Sequence, residues 1–265
     1  MIYTNLKGGL GNMLFQISAT ISIALDNDNQ WCFPNLKDHI NYLNRETTYN
    51  ENLNYGSEYL KIFKNLNNCT IIGNPTYIQY PFNYTNIPFN QKEVIIDGFF
   101  QSEKYFKHNR KKILEVLDFS FIDTEKTLLK YNFMDKKTTS IHVRRGDYLK
   151  YPNHHPTQPI EYYTNSIKYL ENETELFVIF SDDILWCKEN LKINNAIYIE
   201  GEKDYNELYL MSLCKNNIIS NSSFSWWGAW LNDNENKKVI GPNVWFGNAI
   251  NHYTGDIIPE SWIKI

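Results

Sequence analysis

The second half of the chain alternates apolar strands with helices so regularly that few architectures can hold it. Residues 138–143 read as a strand, 161–170 as a helix, and Leu176-Phe177-Val178-Ile179-Phe180 as a strand with no polar position at all. Side chains alternate across a strand, so one that is apolar on both sides must be covered on both faces, as in a parallel sheet sandwiched by helices. A helix from Asp183, a strand at 196–199, a helix over 204–214, a strand at 217–220, a helix over 223–231 and a strand at 238–240 complete the pattern. That order predicts an α/β fold with a doubly wound parallel sheet.

The first half opens in the same way. A strand at 2–6 runs into the turn Gly8-Gly9-Leu10-Gly11, and 12–25 reads as a helix with Phe15, Ala19 and Ile23 on one face. Further strands are expected at 31–33 and 94–96. Ser102 is placed to cap a single helix running to about Leu117, with Phe106, Ile113, Leu114 and Leu117 on its apolar face. Residues 42–90 are rich in Asn and Tyr and show no clear period. Two Rossmann-like halves are expected, 1–125 and 126–265.

Composition narrows the function class. With 265 residues and a net charge of −4 the chain lacks the basic surplus of an electrostatic nucleic-acid binder, so no nucleic-acid partner is expected. The first residues have no signal-peptide core, and no run of eighteen apolar residues occurs, so a cytoplasmic protein without a transmembrane span is expected. Cys32, Cys69, Cys187 and Cys214 form no C-x-x-C pair and read as four buried, reduced thiols. Lys replaces Arg almost throughout. Of only four Arg, at 45, 110, 144 and 145, two are adjacent. A retained guanidinium pair points to a site that needs a planar fork of donors for phosphate or carboxylate.

Four constellations can carry chemistry. Gly8-Gly9-Leu10-Gly11-Asn12, between a strand and a helix, lets backbone approach an anion at a helix N-terminus, but it is neither G-x-G-x-x-G nor a P-loop. His142-Val143-Arg144-Arg145-Gly146-Asp147-Tyr148 closes a strand, where ligands of open α/β sheets bind. Strand alternation would send His142 and Arg144 to one face and Arg145 to the other. Asp147 is either a general base or a partner that fixes an arginine. Asp182-Asp183 after the apolar strand can chelate a metal, accept hydrogen bonds from a nucleoside, or cap the next helix. Ser222-Ser223-Phe224-Ser225 begins a helix whose N–H groups suit phosphate, and the adjoining Trp226, Trp227 and Trp230 read equally as packing. His154 and His155 read as loop residues, with no third partner at metal-ligand spacing.

These motifs, in this order, resemble glycosyltransferase family 11, the α-1,2-fucosyltransferases. Residues 8–16, 142–148, 180–183 and 222–229 are similar to the family's blocks, as is the segment Asp97-Gly98-Phe99-Phe100-Gln101-Ser102-Glu103-Lys104-Tyr105-Phe106. Met13 departs from the Gln the family commonly carries there. The resemblance implies a GT-B-like fold of two Rossmann-like halves with a donor cleft between them. It makes 1–125 the acceptor side and 126–265 the GDP-sugar side. It implies GDP-β-L-fucose as donor substrate, inversion at the anomeric carbon, and transfer to the 2-hydroxyl of a terminal hexose, β-galactose, of a surface glycan. No cofactor and no metal are implied.

By that resemblance Arg144 holds the GDP phosphates, with Arg145 supporting. Gly9, Gly11 and Asn12 lie by the diphosphate or fucose, Asp182 or Asp183 faces the guanosine, and Ser222, Ser223, Phe224 and Ser225 close on the phosphates. Arg144 stabilises the departing GDP. Asp147 is taken as the base for the acceptor hydroxyl, with His142 or an acid in the first half as alternatives. The partners are a sugar nucleotide and a glycan acceptor, and a glycolipid acceptor would bring peripheral association with a membrane. The competing readings are a transferase for another sugar nucleotide or linkage, and an inactive glycan-binding protein.

Overall fold

The computed structural model describes residues 1–47, 58–71, 73–80, 82–89, 91–131 and 136–265. The chain forms two compact units, Met1–Phe121 with His252–Pro259, and Ile122–Asn251 with Glu260–Ile265. The return of 252–259 to the first unit has no counterpart in a single division at 125/126.

In the first unit β1 (Ile2–Thr4), β2 (Trp31–Cys32), β3 (Tyr77–Ile78) and β4 (Val94–Asp97) form a sheet in the order β2-β1-β4-β3, every pair parallel. Its helices are α1 (Leu10–Asp26), α2 (Leu36–Thr47), α3 (Tyr59–Ile62) and α4 (Arg110–Val116). Helix α1 is buried nearly all round, from Leu10 to Ala24 apart from Asn12. A helix buried on every face must find internal partners for its polar side chains. Thr20 does so through the carbonyl of Gln16 and the hydroxyl of Thr4, 2.6 Å each, and Ser22 accepts from Asn109 Nδ2 at 2.9 Å. Met13 is wholly buried, so the departure at that position is an apolar core residue.

The single helix expected over 102–117 is broken. Ser102 caps a 3₁₀ turn at Glu103–Tyr105, a second turn follows at Lys107–Asn109, and only then does α4 begin. Phe106, fully buried, takes φ −148°, which no continuous helix allows. Helix α2 occupies residues for which no period was read. Part of the stretch 42–90 lies outside the described residues.

The thiol expectation is corrected here. Cys32 on β2 is bonded to Cys69 as a disulfide. Their separation of 37 residues carries no motif. The tertiary fold makes the pair, because Phe33 N–H donates to the Asn67 carbonyl (3.2 Å) and lays that segment along β2. Cys187 and Cys214 stay free and buried, and burial pushes their thiols up to about 11 and about 12. Closing a loop of this length contributes about 2–4 kcal/mol. A Cys32→Ser/Cys69→Ser variant should therefore melt roughly 5–10 °C lower than the oxidised protein, read by thermal denaturation with and without reductant. An unchanged midpoint would refute it.

The second unit contains α5 (Thr124–Tyr131), β5 (Thr138–Val143), α6 (Ile160–Leu170), β6 (Leu176–Ser181), α7 (Ile184–Asn190), β7 (Ala196–Tyr198), α8 (Asp204–Leu213), β8 (Asn216–Ile218), α9 (Ser223–Leu231), β9 (Val239–Gly241) and β10 (Ile263–Lys264). Its sheet runs β10-β9-β8-β5-β6-β7, again all parallel. The unbroken apolar strand does what its sequence requires. Phe177 and Ile179 of β6 join Ile141 and Val143 of β5 against α6 and α7, while Leu176, Val178 and Phe180 pack against Leu210 and Met211 of α8. Trp226, Trp227 and Trp230 are core residues. The Trp226 ring lies 5.3 Å from Trp227, 6.2 Å from Trp230 and 5.4 Å from Trp262. Gly228 lets α9 approach α8, because a Cβ there would stand 2.8 Å from Met211 Cβ.

Candidate functional site

Parallel pairing decides which loops meet in the second unit. Val143 at the end of β5 is in register with Ser181 at the end of β6, and Ile141 with Ile218 of β8. The segments 144–148, 182–183 and 219–223 therefore leave the sheet side by side at its carboxyl edge.

There two arginines and three aspartates interlock. Arg144 donates from Nη2 to Asp147 Oδ1 (2.6 Å) and pairs through Nη1 with Asp182 Oδ2 (3.0 Å). Arg145 pairs through Nε with Asp183 Oδ2 (3.0 Å), and its backbone N–H donates to Asp182 Oδ1 (2.9 Å). Gly146 is required by this closeness, since a Cβ would stand 2.5 Å from Asp182 Oδ2. The alternation argument for the arginines fails because β5 ends at Val143, and both guanidinium groups turn to the acid pair. They are not equivalent. Arg145 lies 4.0 Å over the Trp186 ring with its side chain 18% exposed, while Arg144 lies 5.5 Å over Tyr148 and is 31% exposed. Arg145 is the anchored group and Arg144 the one presented. Asp147 is the most exposed of the acids, at 57%.

Asp183 also caps α7, accepting from Trp186 N–H at 3.2 Å, so the capping and arginine roles coexist. Because Asp182 and Asp183 already serve as counter-ions, chelation by this pair would leave both guanidinium groups without them.

The serine turn lies beside this network. Ser222 caps α9 through the Phe224 N–H (3.3 Å), with Ser223 and Phe224 half-buried at the helix start. Ser225 is interior and bonds back to the carbonyls of Ser222 (3.3 Å) and Ser220 (3.5 Å). His142 is interior too. Its Nδ1 meets Ser220 Oγ at 2.8 Å and its ring stands 5.5 Å from that of Phe224. Burial, and then the Arg144 charge, pull His142 down to about 3, so it stays neutral at physiological pH. Tyr148 ties the two loops together, donating its hydroxyl to the Asn221 carbonyl at 2.9 Å.

Gly9, Gly11 and Asn12 belong to the first unit. Helix α1 starts at Leu10, earlier than expected, so Gly11 lies in its first turn. Gly8 sits at φ +79°, where a Cβ is disfavoured and would also meet the Asn12 amide. Gly9 has open space at its Cβ position. Asn12 accepts from Gln101 Nε2 at 2.8 Å.

The sequence reading missed several groups. Gln16, wholly buried, clamps the glycine segment by accepting from Lys7 N–H (3.0 Å) and donating to the carbonyls of Lys7 (2.8 Å) and Asn12 (2.9 Å). Half-buried Glu207 on α8 is held well above the usual carboxylate range by burial, then by Asp204, Glu202 and Asp182. A carboxyl in such a setting holds its proton more tightly than a free one. One signal marked it. It precedes the core-facing Leu210 and Met211 by three and four residues, so an acid sits on the helix's apolar face. His155, set aside as a loop residue, stacks on Tyr148 (5.1 Å) and meets Phe246 edge-on (5.7 Å).

Two adjacent guanidinium groups, fixed by acids beside a helix N-terminus, suit a diphosphate. Among the described residues no helix is long and apolar enough to cross a membrane. The family model described as glycosyl transferase family 11 matches residues 1–265. An alpha-1,2-colitosyltransferase of Escherichia coli is 30% identical, with 100% of this chain and 99% of that protein covered. The O-antigen biosynthesis glycosyltransferase WbnK of Escherichia coli is 28% identical with both chains covered in full. Among solved structures, fucosyltransferase NodZ from Bradyrhizobium matches with a TM-score of 0.53 at 10% identity, over 86% of this chain and 91% of that one. That likeness concerns the fold, which is the GT-B type with two units built on parallel sheets.

Proposed function

The chain belongs to glycosyltransferase family 11, and we propose that it transfers L-fucose from GDP-β-L-fucose, with inversion, to the 2-hydroxyl of a terminal hexose, β-galactose, of a surface glycan. The observation that carries this reading is the Arg144–Asp182 and Arg145–Asp183 network at the carboxyl edge of the second sheet, next to the start of α9.

Departure of GDP leaves negative charge on a diphosphate oxygen. Arg144, the more exposed of the two guanidinium groups, stabilises that charge, and Arg145 holds the loop while adding to the field. The N–H groups at Ser223 and Phe224 add partial positive charge at the start of α9. In this scheme Asp182 and Asp183 hold the arginines, and His142 and Ser225 support the serine turn from below. Asp147 has two roles in sequence. Without donor it shares Arg144. Once phosphate takes that guanidinium, the freed carboxylate accepts the proton of the acceptor hydroxyl. The guanidinium groups supply the charge stabilisation, so the reaction needs no metal.

The expected result is GDP release from GDP-fucose with lactose as acceptor, undiminished in EDTA, and tighter binding of GDP than of UDP. Loss of turnover in EDTA would remove the metal-free mechanism, and tighter UDP binding would remove the fucosyl reading. A second reading is favoured by the relative named an alpha-1,2-colitosyltransferase. Colitose is fucose without its 3-hydroxyl, and a clear preference for a colitosyl donor over GDP-fucose would establish it. Linkage analysis of the product by NMR decides the 2-position.

A further inference from the structure

We propose that Asn221 is a positioning residue for Arg144, acting through the aromatic column on which that guanidinium rests. The assignment rests on the nucleotide part of the reading above and is independent of the sugar transferred.

Arg144 lies 5.5 Å over the Tyr148 ring, His155 stacks on the same ring at 5.1 Å, and Phe246 meets His155 edge-on at 5.7 Å. The three rings come from two loops, one after β5 and one after β9. Each is tethered through a single residue of the turn after β8. Tyr148 donates its hydroxyl to the Asn221 carbonyl at 2.9 Å. The Asn221 side-chain amide donates to the Pro156 carbonyl (3.0 Å), next to His155, and to the Trp245 carbonyl (2.9 Å), next to Phe246. A bond from the Gly247 N–H to the His154 carbonyl (2.9 Å) closes the two loops on each other, and a Cβ at Gly247 would collide with the Asn153 carbonyl.

Asn221 is buried, and its Oδ1 has no hydrogen-bond partner. The orientation of the amide is fixed by its neighbours, because a flipped group would turn its oxygen toward two carbonyl oxygens. A buried acceptor left unpaired works against stability, so packing alone does not account for this side chain. What it supplies is a pair of donors aimed at two loops, while its backbone accepts from the third ring.

The column carries no charge of its own toward the guanidinium. Burial pulls His155 below its ordinary value, opposed by Asp147 and aided by His154 and Arg144, so the imidazole is neutral. In the scheme above Asp147 shares Arg144 only until phosphate arrives. The Tyr148 ring and Asp182 are then what hold the guanidinium, so the placement of that ring decides where the positive charge sits. A misplacement of about 1 Å can cost about 10²-fold in rate.

The test measures kcat with GDP-fucose and lactose, GDP affinity by calorimetry, and thermal midpoint. It compares the wild type, Asn221→Ala, Tyr148→Phe and Thr139→Ala, each well below its midpoint. Thr139 is the control, since its hydroxyl meets that of Thr174 at 2.6 Å inside the opposite end of β5. Asn221→Ala should lower kcat and GDP affinity about tenfold each, and Tyr148→Phe about threefold. Thr139→Ala should lower the midpoint and change kcat and GDP affinity by less than about twofold. On an Arg144→Ala background, Asn221→Ala should weaken GDP binding by less than about twofold, because the group it positions is gone. Unchanged kcat and GDP affinity in Asn221→Ala overturn the assignment, as does an equal loss in Thr139→Ala or an undiminished loss on the Arg144→Ala background. Should Asn221→Ala fail to fold, Tyr148→Phe decides by the same readings. A wild type that binds GDP but transfers no fucose removes the fucosyl reading, and the GDP affinities still decide the role of Asn221. A wild type that transfers fucose while the variants keep its kcat and GDP affinity removes that role alone.

Discussion

Arg144→Ala is expected to lower kcat/KM by roughly 10³-fold or more, the range seen when a positioned donor to developing negative charge is removed. Arg144→Lys should recover little of it. A guanidinium reaches Asp147 and Asp182 at once, through Nη2 and Nη1, whereas an ammonium on a flexible stem cannot hold both carboxylates and still face a phosphate. Removing the charge altogether also strands Asp147 and Asp182, so GDP binding should weaken in the same variants. Arg145→Lys is the informative contrast. It loses the stack on Trp186 and the bond to Asp183, which position the loop, and should cost less in kcat than either change at Arg144. Steady-state kinetics with GDP titration checks the order, and a change of less than threefold in Arg144→Ala would sink the proposed role.

The largest effect on stability is expected at Trp226. Its side chain is wholly buried among Trp227, Trp230 and Trp262, a cluster that joins α9 to the last residues of the chain. Truncating a buried Trp to Ala removes a large apolar area and leaves a cavity that rigid neighbours cannot fill, costing about 3–5 kcal/mol. Domains are stable by roughly 5–15 kcal/mol, so Trp226→Ala should unfold at much lower denaturant and tie up much of the protein as aggregate. Chemical denaturation of the purified variant measures it. A loss of less than about 1 kcal/mol would show the cluster to be loosely packed. Because Ser222 and Ser223 open the same helix, GDP affinity should fall with stability in this variant.

How much of this was legible in the sequence depended on whether the signal was local. The 176–180 strand could be read because alternation with no polar position admits one environment, and both of its faces are indeed covered. The motifs at 142–148, 182–183 and 222–225 could be placed at strand ends because strand–turn–helix order is local too. The partners were not legible. Nothing at Arg145 says that its guanidinium lies against Trp186, or that Asp182 serves Arg144 with one oxygen and the Arg145 backbone with the other. The helix expected over 102–117 failed at Phe106, whose apolar side chain fits a helical period while its backbone leaves the helix to bury it. Cys32 and Cys69 failed differently. Cysteine spacing speaks for metal and redox motifs, and is silent about two residues that a strand edge brings together.

The path of the chain has a consequence for how such enzymes can be recombined. Residues His252–Pro259 leave the second unit, complete the first, and are followed by Glu260–Ile265, which returns to supply β10. Asp256 within that excursion pairs with Lys104 and accepts from the Tyr84 N–H, and His252 stacks on Phe82, so the first unit is finished by the end of the chain. A hybrid joined once near residue 121 would inherit the excursion of the wrong parent. Exchange of the second unit between relatives must graft two segments, 122–251 and 260–265, through three joins rather than one, and the 252–259 segment has to stay with first-unit residues that precede it by more than a hundred positions.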